Sequence, residues 1–198
     1  MDALLRPSDK TIRPVLRSHL LQIHRNEPDT VIIDELGLRC GKVRLDVAVV
    51  NGFFHGYEIK SDRDSLRRLS DQANVYNQVL DRATIVVGDR HIEEAIKIIP
   101  RWWEVLRFKT KANEPSFEII RSGHENSGRD PRTLVELLWL DDAMALLQKH
   151  GATRGLKGKP RRFVWDRICA EFDVLEIADA VRHRIKARVN QGALSQPS

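Results

Sequence analysis

The chain has 198 residues, 31% of them Asp, Glu, Lys or Arg and 41% apolar, with two cysteines and a net charge of +5. That length fits one ordinary domain, or one with a small addition. No apolar run reaches the ~20 residues of a spanning helix, Met1 to Lys10 lacks a signal-peptide core, and Cys40 and Cys169 have no companion cysteine motif, so a membrane span, a zinc framework and a disulfide framework are disfavoured and a reducing cytoplasm is expected.

Ile12, Val15, Leu16, Leu20 and Ile23 recur at helical spacing and predict an amphipathic helix over 11–24, with Pro14 tolerated in its first turn. Glu27-Pro28-Asp29 breaks it, and residues 30–36 form a short apolar element ending near Asp34 and Glu35. Gly37 and Gly41 bound a turn. Residues 43–50 and 53–60 are strand-like around an Asn51-Gly52 turn signal, so they read as a hairpin. Ser61-Asp62 can cap a helix, which Leu66, Leu69, Ala73, Tyr76 and Leu80 place over 63–80. A buried strand over 83–87, a helix over 91–99 and strands over 105–108 and 117–121 follow. This order indicates an α/β domain over 10–121 with a mixed sheet. Residues 122–131 are the best linker candidate. Beyond them 133–149, 162–171 and 174–188 are helical, giving a small helical domain over 132–189, and 190–198 is expected to be disordered.

Asp46 in the first hairpin strand and Glu58-Ile59-Lys60 closing the second place charges in apolar strands, and unpaired buried charges are costly. Two carboxylates and a lysine converging there can hold a divalent metal and polarise a water. The bland alternative is an Asp46–Lys60 cross-strand ion pair with Glu58 solvated. The turn decides whether one metal can join the acids. A strict two-residue turn puts Asp46 and Glu58 on opposite faces, whereas a three-residue turn, Val50-Asn51-Gly52 with Gly52 left-handed, puts them on the same face.

Asp46, then Glu58-Ile59-Lys60, then a helix bearing Gln72 and Tyr76, resembles the PD-(D/E)xK nuclease superfamily, although Leu45 stands where the name has proline. The wording Gly56-Tyr57-Glu58-Ile59-Lys60-Ser61-Asp62 and Pro100-Arg101-Trp102-Trp103 is similar to a small bacterial family built on this core. The resemblance covers roughly residues 10–108. It implies a restriction-endonuclease-like core, a mixed central sheet flanked by helices, here with a C-terminal helical appendage. It also implies that Asp46 and Glu58 ligate Mg²⁺ or Mn²⁺, joined by the Ile59 backbone carbonyl, with Glu35 acting through water or on a second ion. Lys60 would orient the nucleophile or stabilise charge on the phosphate, and Gln72 would hydrogen-bond a water or the Lys60 region.

The basic excess lies wholly in the second half: residues 1–100 carry 15 Lys/Arg and 15 Asp/Glu, and residues 101–198 carry 18 and 13. Lys157, Lys159, Arg161 and Arg162 sit in a Gly/Pro-bearing stretch between two helices that faintly resembles the SAP-like DNA-binding module; a solvated basic loop is the alternative. Arg63, Arg67 and Arg68 beside the acids are further candidate phosphate contacts. Trp102-Trp103 either stacks on bases or packs in the core. No Gly-rich phosphate loop and no Gly-x-Ser-x-Gly motif is present, which disfavours NTP hydrolysis and serine hydrolase chemistry. The expectation is a Mg²⁺- or Mn²⁺-dependent nuclease acting on DNA, with RNA as the other substrate, no membrane partner and a homodimer allowed. The rivals are a nucleic-acid-binding module of the same fold without activity, and a protein-interaction scaffold using Trp102-Trp103 and the C-terminal helices.

Overall fold

A computed structural model describes residues 8–111 and 114–193. Six strands, β1 (Val31–Leu38), β2 (Val43–Val50), β3 (Phe54–Lys60), β4 (Arg82–Val87), β5 (Glu104–Lys111) and β6 (Glu114–Arg121), lie in one sheet in sequence order. β2 runs antiparallel to both β1 and β3, β3, β4 and β5 run parallel, and β6 turns back antiparallel on β5. The parallel pairs need crossovers. α2 (Leu69–Val79) joins β3 to β4, and α3 (Ile92–Ile98) joins β4 to β5. The fold is thus mixed α/β, a six-stranded mixed sheet flanked by helices.

Alternation along the strands divides the core between two faces. On one face, α1 (Asp9–Ile23) buries Ile12, Leu16 and Leu20 against Val47, Val49, Tyr57, Ile59 and Val86. On the other, Ala48, Val50, Phe54, Ile85 and Val87 pack under α2 through Leu69, Ala73 and Tyr76. The same cluster takes in Leu134, Val135, Leu147, Ile168 and Val181 from the C-terminal helices α4 (Pro131–Val135), α5 (Leu140–Lys149), α6 (Arg161–Glu171) and α7 (Val174–Asn190). The helices expected as an appendage therefore share the core of the sheet.

Asp81 fastens this union. It is 1% exposed and accepts from Phe54 N at 2.7 Å, from Arg182 Nη1 at 2.9 Å and from Arg129. Residues 122–130 form neither helix nor strand, yet Asn126 is buried and its amide donates to Asn77 O and Leu80 O. Trp103 is fully buried and donates to Asn77 Oδ1, with Trp102 packed against the same cluster. Trp103 therefore belongs to the core, and Trp102 is half-buried beside it.

Several local expectations are corrected. The β2–β3 turn has an odd length, but its members are Asn51-Gly52-Phe53, because Val50 pairs with Phe54. Asn51 Oδ1 accepts from Phe53 N at 2.9 Å and shapes the turn itself, so Gly52 has no positive φ. Gly37 lies inside β1 and the turn is made around Gly41. Ser61 does not cap a helix: its amide and hydroxyl both donate to Asp64 Oδ2, and the helix begins only at Leu69. The single helix expected over 133–149 is two, α4 and α5, split by a turn that buries Leu137 and Leu138. Of the tail expected to be disordered over 190–198, Asn190 instead ends α7 and the amides of Gln191, Gly192 and Ala193 donate to Ala187 O, Val189 O and Arg188 O, while residues 194–198 lie outside the described residues.

Candidate active site

The site opens where β2 and β3 separate. Their ladder stops at Val47–Tyr57, and Asp46 reaches across the gap so that its Oδ2 accepts from Ile59 N at 2.7 Å. From α1, Arg13 grips the same residue twice, Nη2 to Asp46 Oδ1 at 2.9 Å and Nη1 to Asp46 O at 2.7 Å. Arg13 also pairs with Asp9 at 3.0 Å and with Glu35 at 3.1 Å. Glu35 sits opposite Asp46 at a break in the β1–β2 pairing, with φ 59°. A left-handed glutamate is strained, and such strain is retained where surrounding contacts enforce it. Here they are Arg13 on one carboxylate oxygen and Arg44 Nε, 2.8 Å away, on the other.

Glu58 is 1% exposed. Its Oε1 accepts from Lys60 Nζ and from Gln72 Nε2, each at 2.6 Å, and its Oε2 accepts from Tyr76 Oη at 2.6 Å. Residues four apart lie on one helix face, which is why α2 can deliver both Gln72 and Tyr76 to one carboxylate. A buried carboxylate is tolerated when it is paired and fully hydrogen-bonded, and this one is. Burial, and then the Glu58 charge, push the Tyr76 hydroxyl far above its ordinary range, so it stays a donor. The Asp46 carboxyl is pushed up to about 7: burial, then the neighbouring Glu58 charge, outweigh the Ile59 amide and the Arg13 guanidinium.

Glu35, Asp46, Glu58, Ile59, Lys60 and Gln72 all line one cleft of about 640 Å³. The same walls carry Lys42, Arg44 and Arg68, so cations border the acids. Arg67 lines a smaller adjoining hollow with Arg68 and Lys60. Arg63 is exposed on the same loop but lines neither. Lys157, Lys159, Arg161 and Arg162 belong to the α5–α6 loop and the start of α6 and are not part of the cleft. Two contributors were not foreseen, Arg13 and Asp9. The one trace of them in the sequence is their four-residue spacing, the signature of an i,i+4 ion pair.

Among the described residues, no three His, Cys, Asp or Glu side chains stand close enough to hold a metal by themselves. Magnesium is commonly held by one or two carboxylates while keeping several waters, so the test falls on the oxygen set around Asp46 and Glu58. Two buried acceptors beside them, Gln72 Oε1 and Asp9 Oδ1, have no protein partner. Two carboxylates, unpartnered oxygens and no sulfur or imidazole fit a hard, hydrated cation. Arg13 and Lys60 pair with the same two acids.

The sequence profile described as Bacteriophage P4 protein cII matches residues 8–194. Protein cII of Enterobacteria phage P4 is 30% identical over 125 residues, 63% of this chain and 47% of that protein, so the chain spans about half the length of the curated relative it matches. Among solved structures, a protein of unknown function from Silicibacter pomeroyi aligns over 74% of this chain and 90% of its own at 23% identity, with a TM-score of 0.40. SfsA of Pyrococcus furiosus, solved in complex with Ca²⁺, aligns over 58% and 62% at 16% identity, with a TM-score of 0.31. Among the described residues no helix is long and apolar enough to cross a membrane.

Proposed function

The chain belongs to the Bacteriophage P4 protein cII family, and we propose that its cleft hydrolyses phosphodiester bonds, of DNA in the first instance, with Mg²⁺ or Mn²⁺. One observation carries this reading. Five residues singled out from three strands and a helix, Glu35, Asp46, Glu58, Lys60 and Gln72, line a single cleft with the Ile59 backbone.

In this reading Asp46 and Glu58 hold the cation, with the Ile59 carbonyl and Gln72 Oε1 as further oxygens and Glu35 acting through water. A bound divalent ion supplies Lewis acidity toward a phosphate oxygen and makes the water it binds more acidic. Tyr76 and Gln72 fix the Glu58 carboxylate from α2, so it needs little reordering during reaction. Lys60 Nζ, 2.6 Å from Glu58 on the cleft wall, would face the charge that grows on the phosphate. Lys42, Arg44 and Arg68 at the same walls grip flanking phosphates.

A second reading follows from Arg13 and Lys60, which pair with Asp46 and Glu58: the fold binds polynucleotide without cutting it. The deciding experiment incubates the purified chain with plasmid, linear and single-stranded DNA and RNA, in Mg²⁺, Mn²⁺ or EDTA, beside Lys60→Ala. The nuclease reading expects cleavage that needs metal and is lost in the variant. Binding without cleavage of any substrate sinks it in favour of the second.

A further inference from the structure

Outside the cleft, the strongest concentration of charge is residues 149–167, with seven Lys or Arg and one acid, Asp166. Asp166 pairs with Arg132, 3.5 Å away. Among the described residues, Lys157, Lys159, Arg161 and Arg162 have no carboxylate at ion-pair distance, and all but the half-exposed Arg161 are exposed. In their midst Phe163 is 40% exposed, although its helix buries Val164, Trp165 and Ile168 on the opposite side. Lys159 Nζ stands 5.7 Å and the Arg162 guanidinium 5.0 Å from the Phe163 ring centroid. Gly158, between the two lysines, has φ 73° and open space beside it, so the chain reverses there with no side chain in the way.

We propose that Phe163, with Lys157, Lys159 and Arg162, is a docking platform for single-stranded nucleic acid. Lys159 and Arg162 meet over the Phe163 ring with no carboxylate beside them, and a polyanion offsets the repulsion between them. Phosphate contacts alone would make no use of the exposed ring. An exposed ring with two cations over it, which can swing onto phosphates on their flexible stems, matches an unpaired base between two phosphates. Bases in a duplex are already stacked on one another and offer no free face to a side chain, which is why the surface selects single strands. This extends the polynucleotide half of the proposed function and is independent of the metal.

Fluorescence anisotropy in EDTA tests it, with labelled oligo-dT and a duplex of equal length, on the full chain and on Phe163→Ala, Phe163→Trp and Lys157→Glu/Lys159→Glu. Phe163→Ala should weaken oligo-dT binding about tenfold, as expected for one lost base stack, and change duplex binding less than twofold. Phe163→Trp should restore the single-strand affinity. The charge-reversed variant should weaken both ligands and flatten the salt dependence. Equal affinities for Phe163→Ala and wild type on oligo-dT, or an equal loss on both ligands, would overturn the proposal, as would no binding to either at low salt. Absence of cleavage with Phe163-dependent binding intact would remove the nuclease and leave the platform.

Discussion

Replacing Tyr76 by phenylalanine deletes one oxygen from the centre of the site and leaves the ring stacked on Trp103, 5.8 Å away between centroids. The hydroxyl has two acceptors in reach, Arg44 O at 3.0 Å and the nearer Glu58 carboxylate at 2.6 Å, and the second carries the larger loss. Hydrogen bonds to charged groups contribute about 1.5–3 kcal/mol. Because Glu58 is 1% exposed, water does not readily take the empty position, and the cost falls in the upper part of that range. For a domain of this size, about 2–4 °C of Tm accompany each kcal/mol, so Tyr76→Phe should melt roughly 4–12 °C below wild type by circular dichroism. Tyr57→Phe is the internal control. Its hydroxyl lies 3.2 Å from the neutral His55 ring, a bond contributing about 0.5–1.5 kcal/mol. If Tyr76→Phe melts with wild type, or no lower than Tyr57→Phe, the hydroxyl does not hold Glu58 and the account of the site is wrong.

Asp46 and His55 act oppositely on stability as pH changes. The Asp46 carboxyl, pushed up to about 7, keeps its proton in the folded protein where the unfolded chain has lost it, so raising pH from about 4 to 7 favours unfolding. Urea titrations should show wild type losing roughly 1 kcal/mol per pH unit relative to Asp46→Asn over that window, and parallel curves would refute the assignment. His55, lowered to about 3 by burial and then by Arg82, is folded in its neutral form, so its contribution is present above about 6.5 and lost as pH falls toward 3. His55→Gln should therefore flatten the acid limb of the same titration; an unchanged acid limb would exclude His55 as its cause. Asp81→Ala strands Arg129, leaves Arg182 with Asp179 alone and frees Phe54 N, and loss of a buried ion-pair partner costs about 3–5 kcal/mol. One cooperative transition at lower denaturant is expected, whereas a C-terminal helical signal melting at its original midpoint would show that the helices do not depend on the sheet.

The strands and the two facing helices were legible because their apolar spacing is strong: Ile12, Leu16 and Leu20 on one face, and Ala73 and Tyr76 on the other, are all buried as the periodicity requires. The odd-length hairpin turn was legible as a requirement of the chemistry, while its members were not, since an Asn51 side-chain bond decides between neighbouring registers. Periodicity overran the start of α2, because Leu66 is buried from a loop organised by Asp64 and mimics a helical position. Arg13 was invisible as a site residue: its neighbours mark it only as the polar side of a helix, and its partners Glu35 and Asp46 are far along the chain. The union of the C-terminal helices with the sheet was likewise hidden, since it rests on Asp81 meeting Arg129 and Arg182. No local pattern announces such long-range pairs.

Calorimetric titration of Mn²⁺ into the full chain and into Asp46→Asn at about pH 6 tests the central claim, that Asp46 and Glu58 form one cation site, most directly. Wild type should bind the ion and release a proton, because Asp46 is largely protonated there and must ionise to ligate, and Asp46→Asn should lose both the binding and the proton. No binding by wild type, or equal binding by the variant, would contradict it.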